Sequence, residues 1–385
     1  MSYIAAAADV SPLIVPEMSR EISLKDAITT WKLFRLMLRE RPDIVHTHTA
    51  KADTVGRLAG LMYRWLTPGV FVGKPRPCRF VHTYHGHVFH GYYGQLKSRL
   101  FLTIEKILAR LVTDRIVVVS QQQRREINEK FRVGRAEQFA VIPLGIDLSA
   151  YTDWPARRSH LRNELKANES DILIGIVGRL TEIKNHRFFL QTVARFKALA
   201  AMSSGRVRFV IIGDGHLRGD LEAQAGALGL TDEVVFLGTR NDPEIFYPAL
   251  DIVALTSLNE GTPLTLIEAM ANARPVIATG VGGVSDLLGA PALAARDVQS
   301  SFTVCERGVL VPSGDTDGFA LGLARLIEDK SLRGELGQRG RDYVRQNHSK
   351  ERLLGDLKEL YGELTQPELI KISTQPAKKN IESRV

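Results

Sequence analysis

Cysteine is scarce. Cys78 and Cys305 stand alone and far apart, with no CxxC pair. That rules out a disulfide framework and suits a reducing compartment. No apolar run reaches the roughly 18 residues of a membrane span, and the opening MSYIAAAADV lacks the basic start of a signal peptide. The expected location is therefore the cytoplasm. Several catalytic signatures are missing as well. Without GxxxxGK[ST] there is no P-loop, and without GxGxxG and a later acidic residue a dinucleotide dehydrogenase is not expected. There is no GxSxG elbow, and no DxD of the kind that holds a nucleotide diphosphate through a metal. Aromatic residues do not interleave the basic ones and no RNA- or DNA-binding motif occurs, so nucleic acid is not an expected partner.

What remains is a globular composition, 44% hydrophobic and 24% charged. The chain is long enough, at 385 residues, for two domains. Its net charge of +8 is uneven: residues 1–150 carry +9 and the rest −1. Two domains with different partners would produce that split, the basic one meeting a phosphorylated substrate or an anionic membrane surface.

Short Val- and Ile-rich runs alternate with helical patterns throughout. The runs are Leu13–Pro16, Asp43–Thr47, Arg79–Thr83, Arg115–Ser120 and Phe139–Ile142, then Ile172–Val177, Val207–Ile212, Val234–Leu237, Ile252–Leu255, Pro275–Ala278 and Gly308–Val311. Almost wholly apolar strands separated by helices imply parallel sheets covered on both faces. Two such series predict an α/β protein with two Rossmann-like doubly wound domains. The polar stretch between Gly145 and Asp171 is the expected boundary, and the last 20 residues read as a disordered tail. In the helical run SLKDAITTWKLFRLMLRERP, Ser23 is the expected cap and Pro42 the stop. A doubly wound domain usually opens strand, glycine-rich turn, helix. No such turn precedes Leu13, so the expectation is a compact domain or a sequence that starts about 50–60 residues late.

Chemistry is expected at the carboxyl ends of these strands. In GIVGRLTEIKNH, Arg179 and Lys184 follow Gly178. They can converge on a diphosphate, Arg as a fork and Lys as a point charge, or they are solvated loop cations. In SLNEGTPLTLIEAM, Thr262 and Pro263 predict a helix start, with Thr262 as cap and Pro263 at the first helical position. Gly261 allows close backbone approach, and the free amides there can hold an anion. Glu260 lies at the helix mouth and Glu268 inside, roughly 12 Å apart. That is wider than the roughly 5–9.5 Å of a glycosidase acid/base pair. Two carboxylates gripping opposite ends of one extended ligand fit better than two surface charges, because Glu268 sits in an apolar helix. A second glycine turn, ATGVGGVSDLL, can support this helix start from the next strand.

In the first half, HTYHGHVFHGYYG carries four histidines without Zn spacing or a Cys or acidic companion. His85 and Gly86 fall at a strand end, which favours a hydrogen-bonding or catalytic His85 over a metal ligand. VHTHTAK is a similar strand end, where His48, Thr49 and Lys51 can face an acceptor. The helix at 95–115 mixes Lys97, Arg99, Lys106 and Arg110 with large apolar residues. It either lies on an anionic membrane or packs on the sheet with a basic outer face.

Taken together these motifs resemble the GT-B fold, and within it the family 4 retaining glycosyltransferases (glycosyltransferase group 1 type), from about Val15 to Tyr361. The E-x7-E signature stands as Glu260 and Glu268 within EGTPLTLIEAMANARPVIAT, GRLTEIKN looks like the donor-diphosphate motif, and HTYHGH and VHTHTAK are similar to N-domain segments. The resemblance implies that Arg179 and Lys184, after Gly178, bind the donor diphosphate. Glu268 would bind the ribose, Glu260 the transferred sugar, and the backbone of Gly261, Thr262, Pro263 and Leu264 the phosphate and sugar hydroxyls. The base would lie near Gly238, Thr239 and Arg240, and His85 near the sugar and β-phosphate. No metal and no cofactor is implied; the nucleotide-sugar is the substrate, and the resemblance implies a UDP-linked donor. Retention would follow from front-face attack assisted by the leaving phosphate.

The implied layout is an acceptor-side domain at 1–150, a nucleotide-sugar domain at 151–348, a helix at 349–365 crossing back to the first domain, and the tail at 366–385. The implied activity is transfer of a sugar to a glycan or lipid-linked acceptor in polysaccharide or glycoconjugate synthesis, with peripheral attachment at the inner face of the membrane. Alternatives are an epimerase of the same fold, or an inactive truncated homologue that binds nucleotide-sugar. Two departures stand out: the first strand and glycine-rich loop are not seen, and Asp286 replaces the usual Glu.

Overall fold

The computed structural model describes residues 13–15, 25–48, 50–86, 95–199, 206–292 and 301–365. The chain forms two compact units. One gathers Met1–Val118, Arg125–Ala140 and the chain from Leu357; the other gathers Val119–Arg124 and Val141–Asp356.

The first unit holds a four-stranded sheet of β1 (Ile44–His48), β2 (Arg79–Tyr84), β3 (Arg115–Val118) and β4 (Phe139–Val141), in that order. β1 to β3 run parallel. Helices α1 (Lys25–Glu40), α2 (Ala50–Trp65) and α3 (Gln95–Leu111) connect and cover it. α1 contributes Phe34 and Met37, one turn apart, to a core completed by Ala59, Tyr63, Phe80, Leu108 and Val112. Gly60 is required where α2 crosses β2, since a Cβ there would lie 2.1 Å from the Phe80 ring.

One sequence expectation changes here. Leu13–Val15 form no strand, and Leu13 and Ile14 are exposed. A four-residue run ending in a proline offers few ladder donors, and the exposed Leu13 and Ile14 give it no buried apolar face to hold it in a sheet. The cap assigned to Ser23 falls outside the described residues.

A charged network lies inside this unit. Arg57 on α2, about 1% exposed, donates to Asp53 and to Glu105 of α3 (2.6 Å). Glu105 also accepts from the Tyr84 hydroxyl (2.6 Å), and Asp53 from Thr47 (2.6 Å), with His82 Nδ1 at 2.7 Å. Burial opposes the Asp53 charge, yet His82 and Arg57 hold its carboxyl below the ordinary range. Ligand atoms of Asp53, His82 and Glu105 lie within 4.8 Å of one another. The guanidinium that bridges both carboxylates already supplies the positive charge they need, so the group is built as an ion-pair core. It fixes α2 and α3 against the carboxyl ends of β1 and β2.

The second unit holds seven strands: β5 (Ile172–Val177), β6 (Val207–Ile212), β7 (Val234–Gly238), β8 (Ile252–Leu255), β9 (Val276–Thr279), β10 (Thr303–Cys305) and β11 (Gly308–Val311). Their order is β10-β11-β9-β8-β5-β6-β7, parallel except for the β10–β11 pair. Helices α4 (Trp154–Glu164), α5 (His186–Leu199), α6 (Arg218–Ala227), α7 (Pro243–Ala249), α8 (Leu264–Ala271), α9 (Val284–Leu288), α10 (Thr316–Glu328), α11 (Lys330–Asn347) and α12 (Lys350–Thr365) accompany them. The two-residue period of β8 explains its uniformly apolar sequence. Ile252 and Ala254 enter one core with Phe189, Phe209 and Phe319, while Val253 and Leu255 enter another with Tyr247, Leu266 and Met270. Residues Lys350–Asp356 of α12 group with this unit and those from Leu357 with the first. Among the described residues no helix is long and apolar enough to cross a membrane.

Candidate active site

β5 and β8 are neighbours, but the chain leaves β5 toward β6 and β8 toward β9, on opposite sides. Loops diverge at such a switch point and leave a crevice beyond the carboxyl ends of the strands. The loop after β5 carries Gly178, Arg179 and Lys184; the loop after β8 carries Glu260 and Gly261.

These loops are stitched together. The Leu258 amide donates to the Ile183 carbonyl (2.8 Å), and the Thr256 hydroxyl to the Lys184 carbonyl (3.0 Å). The Lys184 ammonium then meets Glu260 Oε1 at 2.5 Å, and Ser257 donates to the same oxygen at 2.6 Å. Glu260 retains 10% side-chain exposure, so this pair is shielded enough to matter electrostatically. Arg179 is exposed and makes no ion pair among the described residues. Gly213 supports the loop from β6: a Cβ there would lie 2.0 Å from the Gly178 carbonyl oxygen.

The helix start differs in detail from the sequence expectation. α8 begins at Leu264, and Pro263 is the residue before it, with ψ 112°. Thr262 does not cap the helix. Its buried hydroxyl donates to the Val119 carbonyl (3.4 Å), which groups with this unit, and that competing acceptor takes the hydroxyl away from the helix amides. The Leu264 and Thr265 amides donate to no protein acceptor among the described residues, and unpaired first-turn amides favour an anion. The second glycine turn supports this start as expected. The Gly283 amide donates to the Gly261 carbonyl (2.8 Å), and a Cβ at Gly283 would lie 2.3 Å from that oxygen. Asp286, one turn on, accepts from the Gln122 amide (2.8 Å).

Glu268 sits within α8, among the buried Leu266, Ile267, Ala269, Met270 and Ala271. Burial pushes its carboxyl up, and hydrogen bonds from Tyr247 and Tyr151 oppose that rise. The Tyr247 hydroxyl donates to Glu268 Oε2 at 2.9 Å. Gly238 has φ +71°, a turn conformation that favours glycine, and Thr239 beside it is exposed. Arg240 is committed elsewhere: it binds Asp242 (2.9 and 2.6 Å) and both oxygens of Glu164 (2.8 Å each).

On the first unit, His48 ends β1 and His85 follows β2. His48 Nδ1 and His85 Nε2 lie 2.9 Å apart, with the rings stacked at 5.1 Å. One ring must donate and the other accept, so at least one is held in a defined tautomer. His46 lies behind them, 2.5 Å from the Tyr361 hydroxyl and 2.6 Å from Thr83 Oγ1. Gly86 lies in a bend after β2, and Lys51 in the first turn of α2. Thr49 lies outside the described residues.

Burial, reinforced by mutual repulsion, pushes His46 down to about 3 and lowers His48 and His85 as well. A folded-state value below the unfolded value of about 6.5 means the unfolded chain binds the extra protons. Stability is therefore complete above about pH 6.5 and declines as pH falls toward the folded value. Urea midpoints should drop steadily from pH 7 to pH 4.5, and His46→Gln should flatten that slope. An unchanged slope in the variant would contradict the assignment.

Sequence reasoning missed the groups that hold the named residues: Ser257 for Glu260, Tyr151 and Tyr247 for Glu268, and His46 with Tyr361 behind the histidine pair. Two parallel-sheet α/β units, the second carrying the Lys184–Glu260 pair and Glu268 after strands at a switch point, are the architecture of a GT-B glycosyltransferase. The sequence matches "Glycosyl transferases group 1" over residues 157–343 and "Glycosyltransferase Family 4" over residues 6–150. It is 30% identical over 325 residues to the UDP-Gal:alpha-D-GlcNAc-diphosphoundecaprenol alpha-1,3-galactosyltransferase of Escherichia coli, covering 84% of this chain and 76% of that one. It is 26% identical to the capsular polysaccharide biosynthesis glycosyltransferase CapM of Staphylococcus aureus, covering 90% and 84%. The crystal structure of Anabaena HepE with UDP superposes with a TM-score of 0.71 at 22% identity, covering 87% of this chain and 82% of that one. The chain belongs to the group 1, family 4 glycosyltransferases and is a glycosyltransferase of the retaining hexosyltransferase type.

Proposed function

We propose that the chain takes a UDP-sugar at the carboxyl ends of β5 and β8 and transfers the hexose, with retention, to a hydroxyl of a glycan or lipid-linked acceptor. The observation that carries this reading is the Lys184–Glu260 pair, beside Arg179 and the first-turn amides of α8, which have no partner among the described residues. In the resting chain Glu260 neutralises Lys184. An arriving diphosphate displaces the carboxylate from the ammonium and adds the Arg179 fork and the α8 amides. Glu260 is then free to accept from a sugar hydroxyl, while Ser257 keeps it oriented. The same cations stabilise the charge that builds on the leaving diphosphate, which is where preorganised charge accelerates transfer most. Glu268, steadied by two tyrosines, accepts from the ribose. We assign the base to Gly238 and Thr239, with Arg240 shaping that turn through its carboxylates. We assign His85 to the sugar end of the reaction and His48, Thr49, Lys51 and Gly86 to the acceptor.

Support for a UDP donor comes from the E. coli relative's UDP-Gal and from the UDP in the HepE crystals. Support for a lipid-linked acceptor comes from the diphosphoundecaprenol in that relative's name. A peripheral position at an anionic membrane surface is supported by α3, where exposed Leu100, Ile107 and Leu111 accompany Arg99, Lys106 and Arg110. The test is chromatography of products from a panel of UDP-sugars with and without acceptor. The reading predicts a new glycoside that requires acceptor and keeps the donor's anomeric configuration. A changed nucleotide-sugar formed without acceptor would instead identify an epimerase.

A further inference from the structure

The first unit has a polar cavity of about 430 Å³ that none of the reaction roles above uses. It lies where the parallel strands begin. Arg79 opens β2, Arg115 opens β3, and Arg110 is in the last turn of α3. Arg135 and Glu363 also line it. The histidine pair lies at the other ends of these strands. Five strand steps at about 3.3 Å put the two roughly 17 Å apart.

The charges at this cavity are out of balance. Arg64, also in its wall, is spent on structure: it donates to the Cys78 carbonyl (2.6 Å), the Val112 carbonyl (3.0 Å) and Asp114 (2.5 Å). Asp114 additionally accepts from the Phe80 amide at 2.8 Å. That leaves four guanidiniums and one further carboxylate, Glu363. Its contact with Arg115 is long, at 3.9 Å. Arg79 reaches Asp114 at 3.5 Å, Arg135 turns to exposed Glu137 (2.9 Å), and Arg110 makes no ion pair among the described residues. Placement at a helix carboxyl end accounts for a cation at Arg110. It does not account for arginines arriving from two strand starts and from the segment before β4. Planar forks converging on one cavity match the tetrahedral oxygens of a phosphate.

We propose that this cavity is an anion site for a compact phosphate-class ligand, a phosphomonoester or diphosphate, which reaches it as a free anion or as the headgroup of an acidic lipid. The anion sits among Arg79, Arg110, Arg115 and Arg135. Glu363 is its built-in competitor, pairing weakly with Arg115 when the site is empty of phosphate. The site is independent of the donor reading, because it uses no residue of the β5 and β8 loops.

The test uses the full chain saturated with UDP, so that a nucleotide site does not report. Inorganic pyrophosphate is titrated by calorimetry, and binding to phosphatidylglycerol vesicles is compared with phosphatidylcholine vesicles by sedimentation. Arg110→Gln with Arg135→Gln should weaken the interaction by about tenfold. Glu363→Gln should strengthen it severalfold, and added salt should weaken it steeply. Both arginines are exposed and Glu363 is partly exposed, so thermal unfolding should change little in these variants. Glu363→Gln guards against misfolding as an explanation, since an unfolded variant cannot bind more tightly. Pyrophosphate binding identifies a free anion as a sufficient ligand; binding to acidic vesicles alone identifies a headgroup when Glu363→Gln strengthens it, since Glu363 lines the cavity and is not part of α3. Failure of both probes to bind, or affinities within twofold of wild type in both variants, would overturn the proposal.

Discussion

Lys184→Ala is expected to lower kcat/KM for the donor by about a thousandfold, the scale set by removal of a preorganised charge from a developing anion. The loss has two parts. The ammonium proposed to meet the diphosphate is gone, and Glu260, relieved of its 2.5 Å partner, keeps a negative charge where the proposal puts the diphosphate. Ser257 alone cannot neutralise it. The fold should survive, because the Lys184 carbonyl that accepts from Thr256 is backbone and remains. The two-part argument has its own check. Adding Glu260→Gln to Lys184→Ala should cost much less than the product of the single losses, since the second change removes the repulsion created by the first. Multiplicative losses in steady-state kinetics would show that the pair does not work as a unit.

Arg57→Met is expected to destabilise the first unit by about 3–5 kcal/mol, the usual cost of stripping the partner from a buried charge. Asp53 and Glu105 would face each other without their shared cation. Their best response is to take up protons, so the penalty should grow as pH rises above the ordinary carboxylate range and shrink below it. Urea unfolding of variant and wild type from pH 5 to pH 8 reads this directly. A pH-independent difference would mean that lost packing of the arginine stem dominates. The catalytic consequence is indirect: Thr47 and Tyr84, which the network holds, adjoin His48 and His85 in sequence.

The sheets were legible because parallel strands covered on both faces cannot hide their composition. IVAL and VIAT are apolar at every position, and all four residues of each are buried. The two glutamates proposed for the site stood out through their spacing, and Gly283 through its place after β9. Where the reading went astray, a local signal met a tertiary competitor. Thr262-Pro263 has the pattern of a cap and first turn, but the Val119 carbonyl takes the hydroxyl and α8 starts one residue later. The run Leu13–Pro16 had the composition of a strand, but its Leu13 and Ile14 are exposed.

The groups that hold the site could not be read from local pattern at all. His46 and Tyr361 are 315 residues apart in sequence. Tyr151 and Tyr247 reach Glu268 from segments with no motif of their own. Asp53 and Arg57, four apart on a helix, have the pattern of a solvated surface pair, although both are buried. Such contacts depend on which elements the topology brings together, and short-range periodicity carries no record of that.

The division of labour between the two glutamates is the centre of the account, and calorimetric titration of UDP into the wild-type chain, Glu268→Ala and Glu260→Ala tests it most directly. The account predicts that the wild type binds UDP, that Glu268→Ala weakens binding roughly a hundredfold by removing a charged acceptor from the ribose, and that Glu260→Ala binds UDP nearly as well as wild type while losing turnover. Equal, near-wild-type binding and turnover in both variants, or no UDP binding by the wild type, would contradict it.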